Sequence, residues 1–587
     1  MQALKEFLTE ILSNAFESCG MDRKFGEVVA SQRPDLSHFQ CNGALAAARI
    51  HKRKGRDIAQ NVIDATKERQ VFLKISNDGP GFINLTLADD FLANHAQELA
   101  LDERMLCQPV ANPKRVVIDF GGPNIAKPMH VGHLRSAVIG DSLQRIFRFM
   151  GDHVISDIHL GDWGTQVGML IREVKRRQPD LIYFDELYTG PYLEIPPVNI
   201  TELEEMYPDA SARCERDERE MQAALQATVE LQQGRPGYRA LWQHFRDISI
   251  EALKEDFEKL GVTFDLWFGE SRYNDRIPEM IKRLKQGGFT RVSEGALVMV
   301  VLREAAEKEV PPLVLVKSDG GFLYTTTDLA AIEERVNDFQ ATQTLYVVDK
   351  RQELHFEQIF LAARLTGIAR NMQLEHIAFG TVNGPDGKPF KTRQGGVMKL
   401  QNLISMATNE AMKRMAEIGI AEGYEKEEQL VIANKVGIAT LKFSDLINYR
   451  TSDYTFDLER FTRFEGRTGP YLLYAAVRIK SILRKAEQMG FYPGAILPPI
   501  GPDRELILEL SKFSEAVHNA YASRAPNHLC EFSYSLAQTF SRFYESCHIL
   551  KERDPARRTS WLRLAELCLR QLERTLSLLG IEMAERM

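Results

Sequence analysis

"RVVIDFGGPNIAKPMHVGHLRSAVIGD", residues 115–141, reads as a strand, a turn and a helix in that order. Residues 115–120 form a short, mostly apolar run, suited to a strand buried on both faces of a parallel sheet. GGPN breaks the run, and a helix is predicted from about 128 to 150, stopping at Gly151. His130 and His133 stand three apart, on one face of that helix near its N-terminus. A helix that follows a buried strand starts at the carboxyl edge of the sheet, where open α/β folds bind ligands. Its unsatisfied N–H groups and its dipole favour phosphate there. Gly132 admits a bulky ligand to the backbone, and the imidazoles donate to phosphate oxygens as charge builds up. A metal pair is the weaker alternative: zinc needs a third and a fourth ligand, and no Cys-x-x-Cys accompanies the histidines.

The pattern repeats outward from this stretch. Strands are predicted at 153–160, 296–302, at the start of 312–330, at 344–349 and at 376–382, with helices between them. Such alternation gives a doubly wound parallel sheet of Rossmann type, an α/β fold. The helical, partly acidic insertion at about 175–245 is read as a solvated excursion without chemistry of its own. Residues 1–108 form a small α/β domain. In it 71–75 and 82–87 flank a turn at 77–81, and Leu4, Phe7, Leu8, Ile11, Leu12, Ala15 and Phe16 make one apolar helical stripe. The basic cluster at 49–59 is either a solvated surface or a phosphate-contacting patch. Beyond 430 the strand signal ends, and helical patterns at 465–489, 503–523, 527–550 and 556–579 predict an all-α bundle. The domain limits are therefore 1–108, 109–430 and 431–587.

Composition narrows the function. At 587 residues several domains are required. The seven cysteines are odd in number and scattered, which fits reduced thiols in the cytoplasm rather than a disulfide framework or a structural zinc site. No apolar stretch reaches the length of a membrane span. The net charge of −7 argues against a globally basic nucleic-acid coat. Residues 451–587 nevertheless carry 19 Lys and Arg against 17 Asp and Glu, and arginine makes up 15 of those 19 cations. Arginine is the side chain best shaped for phosphates and base edges.

"PNIAKPMHVGHLRS" (123–136) resembles the first signature of the class I aminoacyl-tRNA synthetases, in the form found in arginyl-tRNA synthetases of bacteria. "HLGDWGTQVG" (159–168), "FGESRYND" (268–275), "GGFLYTTTDLA" (320–330), "VDKRQELHFEQIF" (348–360) and "FGTVNGPDGKPFKTRQGG" (379–396) are similar to the same family in the same order, and "RTGPYLLYAAVR" (467–478) to its anticodon-binding domain. The resemblance implies that Pro123, Asn124, His130, Gly132 and His133 bind ATP, together with Lys391, Thr392 and Arg393 of the second signature. It implies that Asn124, Lys127, His133, Glu270, Tyr324, Asp328 and Gln352 hold arginine. A guanidinium demands carboxylates for bidentate pairing, which fits Glu270 and Asp328; taken alone, Asp328 also reads as a helix N-cap and Glu270 as a surface acid. ATP with Mg²⁺, L-arginine and tRNA(Arg) are the implied partners, and a monomer is the implied state.

Two departures stand out. Gly121 and Gly122 replace serines common in the family, and the second signature is reduced to Phe390-Lys391-Thr392-Arg393 inside a glycine-rich loop. One transition-state lysine is then missing, and Lys127, three residues before His130, is the candidate to replace it. His130, His133, Lys127 and Lys391 are thus the expected catalytic groups. The rival readings are a class I synthetase for another amino acid, a smaller nucleotidyl transferase, and a non-catalytic tRNA-binding paralogue.

Overall fold

The computed structural model describes residues 3–31, 33, 36–301, 311–318, 320–384, 387–388, 398–420 and 422–587. The chain forms two compact units: Val110–Lys413 with Thr440–Thr462, and Met1–Pro109 with Arg414–Ala439 and Arg463–Met587.

In the first unit, strand Arg115–Phe120 lies between two parallel neighbours, His153–Asp157 and Gln343–Val347, and Gln373–His376 extends the sheet beyond the latter. Val116, Val117 and Ile118 are fully buried, as their apolar run requires. The helix that follows is Val131–Phe149, and it starts later than the sequence suggests. The reason is distant in sequence: Val131 N–H donates to Met398 O at 3.1 Å and Leu400 N–H to Met129 O at 2.8 Å, which holds His130 extended. Farther along this helix, buried Arg135 pairs with Asp445 at 3.0 Å and Asp141 with Lys442 at 3.5 Å.

Other expectations are corrected. The run 153–160 is a strand only to Asp157; His159 takes a left-handed backbone (φ +46°), and Ile158 and Leu160 donate instead to Leu266 O and Phe268 O. The described parts of the expected strands at 296–302 and 312–316, residues 296–301 and 312–316, do not join the parallel sheet. Thr290–Ser293, Ala296–Met299 and Leu313–Val316 make a separate antiparallel sheet. Glu294 (φ +51°) and Gly295 (φ +79°) form the two-residue turn between its first strands, and so short a turn joins only antiparallel partners. The strand expected at 376–382 lies earlier, at Gln373–His376, while Val382–Asn383 pairs with Tyr454–Thr455.

The insertion is not a mere solvated excursion. Leu203, Met206, Leu231, Leu241 and Phe245 pack with Trp163, Val167, Leu170 and Ile171 into a core of their own.

The second unit contains a four-stranded antiparallel sheet, in which Phe72–Asp78 and Phe82–Leu87 form the anticipated hairpin. Helix Leu4–Ser18 buries Leu4, Leu8, Ile11, Leu12, Ala15 and Phe16 along one face. Helices Gly469–Gln488, Asn527–Ser546 and Pro555–Leu578 lie where the periodicity puts them. The pattern at 503–523 is two helices, Pro502–Leu510 and Phe513–Ser523, broken at Ser511 and Lys512.

Candidate active site

His130 is the N-cap of helix Val131–Phe149. Its Nδ1 accepts from Gly132 N–H at 3.0 Å, and His133 Nδ1 accepts from His130 N–H at 3.2 Å. The two rings stack with centroids 3.9 Å apart. A Cβ on Gly132 would lie 2.7 Å from the His130 ring, so any larger residue between the histidines would force that ring to shift. Burial, with His130 and Lys127 adding positive charge, pushes the His133 pKa down to about 3. Burial and Lys127 also lower His130. Both imidazoles are therefore neutral at pH 7. With Nδ1 accepting, each keeps its proton on Nε2 as a donor for an anionic oxygen.

The turn before this helix is built from backbone. Gly121 (φ +89°) and Gly122 (φ +42°) occupy left-handed conformations. Gly121 N–H donates to Ser136 Oγ at 2.8 Å, and Ser136 Oγ donates to Val347 O at 2.6 Å. Asn124 Oδ1 accepts from Gln166 Nε2 at 3.1 Å.

The histidines and Asn124 open on a cavity of about 500 Å³ whose other side carries Glu270, Tyr324, Asp328 and Gln352. Glu270 begins a short 3₁₀ turn, with its N–H on Leu160 O at 3.0 Å. Buried Asp162 fixes the next residue, accepting from Ser271 N–H at 2.9 Å and from its hydroxyl at 2.7 Å. Burial, reinforced by the charges of Asp162 and Asp328 against that of His159, pushes the Glu270 pKa up to about 7. Asp328 lies inside helix Tyr324–Asn337, whose N-cap is Leu323, so it is not a capping residue. Its Oδ2 is 2.7 Å from His355 Nε2 and its Oδ1 3.7 Å from His159 Nε2.

Beneath the cavity, Asp119, Asp157 and His159 bring ligand atoms within 4.8 Å of one another. The Arg335 guanidinium already sits on both carboxylates, at 2.6 Å and 3.1 Å, where a metal ion would need to be. This cluster therefore fits an ion-paired arginine and not a protein-held metal.

The fold thus brings Asn124, His130, Gly132, His133, Glu270, Tyr324, Asp328 and Gln352 to one cavity. Pro123 is not among the residues that line it, and its carbonyl accepts from Gly161 N–H at 3.1 Å. Lys127 is turned away, its ammonium 4.2 Å from the centre of the Tyr207 ring. Lys391, Thr392 and Arg393 lie outside the described residues. The sequence reading missed Asp119, His159 and His355, which also line the cavity. Asp119 carried one local signal, an acid at the carboxyl end of a buried strand just before a glycine pair.

Comparison with known proteins agrees. The family described as tRNA synthetases class I (R), catalytic domain, matches residues 95–458; a DALR anticodon binding domain matches 472–587 and an arginyl tRNA synthetase N terminal domain 2–87. An arginine–tRNA ligase of Maricaulis maris is 49% identical and one of Alkaliphilus oremlandii 46%, each alignment covering 100% of both chains. Among solved structures, arginyl-tRNA synthetase from Plasmodium falciparum superposes with a TM-score of 0.81 at 26% identity, again over 100% of both chains. The enzyme of Thermus thermophilus, 22% identical over 100% of both chains, shares the fold with a TM-score of 0.79. With more than half of its length matched to one catalytic family and near-half identity to relatives from end to end, this chain belongs to the bacterial-type class I arginine–tRNA ligases.

Proposed function

We propose that this ligase binds arginine in the cavity with its guanidinium between Glu270 and Asp328, beside Tyr324 and Gln352, and its α-carboxylate toward Asn124 and His133. ATP lies over the start of helix Val131–Phe149, where the N–H groups and the Nε2 donors of His130 and His133 face its phosphates, with Gly132 leaving room and Pro123 shaping the turn. The observation that carries this reading is that a helix end with two neutral histidines and a pair of carboxylates open on one cavity. An oxygen of the arginine carboxylate attacks the α-phosphorus, the bond to the β-phosphate oxygen breaks, and pyrophosphate leaves. The terminal ribose hydroxyl of the tRNA then attacks the arginyl carbonyl, and AMP leaves.

The chain supplies positioning and charge stabilisation in both steps, and no covalent enzyme intermediate is needed. The family resemblance assigns Lys391, Thr392 and Arg393 to the same phosphates. Lys127 joins them by leaving the Tyr207 ring. Mg²⁺ enters with ATP and is held by phosphate and water oxygens. The arginine-rich helices after about 450 read the anticodon arm of tRNA(Arg), the N-terminal domain another part of it, and the enzyme works as a cytoplasmic monomer. Among the described residues, no helix is long and apolar enough to cross a membrane.

Pyrophosphate exchange with each amino acid, with and without tRNA, tests the reading. Exchange supported by arginine alone among them is expected. Exchange with another amino acid, or none with any, overturns it.

A further inference from the structure

Asp328 is held from two sides by histidines. His355 Nε2 lies 2.7 Å from Oδ2, and His159 Nε2 lies 3.7 Å from Oδ1. The two contacts are unlike. His355 makes a short hydrogen bond, whereas both ring nitrogens of His159 are buried without a hydrogen-bond partner. His159 also keeps a left-handed backbone at φ +46°, a conformation that non-glycine residues avoid unless their surroundings impose it.

Its surroundings are acidic. Strand Arg115–Phe120 contributes Asp119, strand His153–Asp157 contributes Asp157, and the turn starting at Glu270 contributes that carboxylate and Tyr273, whose ring stacks on His159 at 5.8 Å. Helix Tyr324–Asn337 contributes Asp328 and an opposing charge, Arg335, while buried Asp162, itself paired with Arg246 at 3.3 Å, adds a further carboxylate near the ring. The buried Tyr346 hydroxyl of strand Gln343–Val347 also faces Asp328. Arg335 is engaged by Asp119 and Asp157. That leaves Asp328 and Glu270 as the acids with no arginine of the protein upon them among the described residues.

We propose that His159 is a positioning residue that serves as the cation of Asp328 before arginine binds, and that arginine binding exchanges it for the guanidinium, with release of the His159 proton to solvent. The inference rests on the reading of Asp328 as a guanidinium partner. A bidentate guanidinium needs one edge of the carboxylate, with both oxygens free along it. A second positive charge on Oδ1 then repels the incoming one, and loss of the imidazolium proton removes the conflict. The electrostatics around His159 fit. Burial opposes the charged ring, yet Asp119, Asp328 and Asp157 outweigh it and raise His159 above its ordinary value. His355 keeps the carboxylate oriented from Oδ2 throughout. Arginine affinity must then rise with pH while His159 titrates, by up to about tenfold per pH unit for one proton released.

Calorimetry of arginine binding to the full chain at pH 6.5, in buffers of different ionisation enthalpy, counts the protons released. Glu270 also titrates near this pH, so the variants carry the decision. His159→Gln is expected to lower the count by about half a proton or more and to flatten the pH dependence of the arginine KM, leaving the ATP KM unmoved. An unchanged count in His159→Gln overturns the exchange, and so does a loss that appears in His355→Gln instead. Should His159→Gln fail to fold, Glu270→Gln decides: release that persists without this carboxylate supports the exchange, and its absence overturns it. Asp328→Asn tests the underlying reading separately. An arginine KM unchanged in Asp328→Asn removes the guanidinium from this site. A raised KM there, with the full proton count in His159→Gln, overturns the exchange alone.

Discussion

Arg335 places its guanidinium 2.6 Å from the Asp119 carboxylate while its own side chain is 1% exposed. Asp157 accepts from the same nitrogen at 3.1 Å, so one buried cation fixes two acids at the carboxyl ends of adjacent strands. Replacing Arg335 by Met leaves both carboxylates without it, a loss on the order of 3–5 kcal/mol for a broken buried pair. The denaturant midpoint of the catalytic unit should fall accordingly. A midpoint like that of the wild type would show that water or another group satisfies these acids.

Glu270 gives a stability signature of its own. In the folded chain it holds its proton up to about pH 7, while unfolded it loses it in the ordinary carboxylate range. The folded state therefore binds more protons between those limits. The contribution to stability is fully present below the ordinary carboxylate range and is lost as pH rises through 7. Glu270→Gln is expected to melt at the wild-type temperature near pH 4.5 and above it at pH 8, although its arginine activation is impaired. Equal melting temperatures at pH 8 would mean that the ionised carboxylate is already stabilised.

The two roles of His130 separate by substitution. Its Nδ1 caps the helix at Gly132 N–H, and its Nε2 is the donor we assign to phosphate. His130→Ala should cost about 1 kcal/mol through the lost cap and about 10²-fold in kcat for adenylate formation, the scale of one lost donor to a developing charge. His130→Asn restores a capping oxygen and should recover the stability without the rate. Recovery of both by Asn would place His130 in the cap alone.

Much of this was legible in sequence, and the parts that were not have a common cause. The strand before Gly121 and the histidine pair are local patterns, readable within one strand–turn–helix unit. The start of the helix at Val131 depends on Met398 and Leu400, hundreds of residues away. The antiparallel sheet built on Thr290–Ser293, Ala296–Met299 and Leu313–Val316 has one local signal, Glu294-Gly295, but its strands have the same apolar character as parallel ones. His159 and His355 matter because tertiary packing brings both to Asp328. Neither has a spacing relation to it. The insertion looked solvated because its apolar residues are spread over several helices, and their stripe becomes a core only when those helices pack.

Lys127 is where the proposed compensation for the reduced second signature can be tested. It rests on the Tyr207 ring and must swing off that ring to reach phosphate. Lys127→Ala is expected to lower kcat for adenylate formation by about 10²-fold with arginine binding near normal, because the contact is made chiefly in the transition state. A raised ATP KM with kcat intact would confine Lys127 to ground-state binding.

The most direct measurement is the arginine KM beside the ATP KM, by pyrophosphate exchange, for Asp328→Asn and Glu270→Gln. Each substitution keeps the shape of the side chain and removes one charge partner of the guanidinium. A loss of about 2–4 kcal/mol for a desolvated pair corresponds to roughly 30- to 1,000-fold in the arginine KM, with the ATP KM close to that of the wild type. Equal changes in both constants, or none in either, would contradict the assignment of this cavity to arginine.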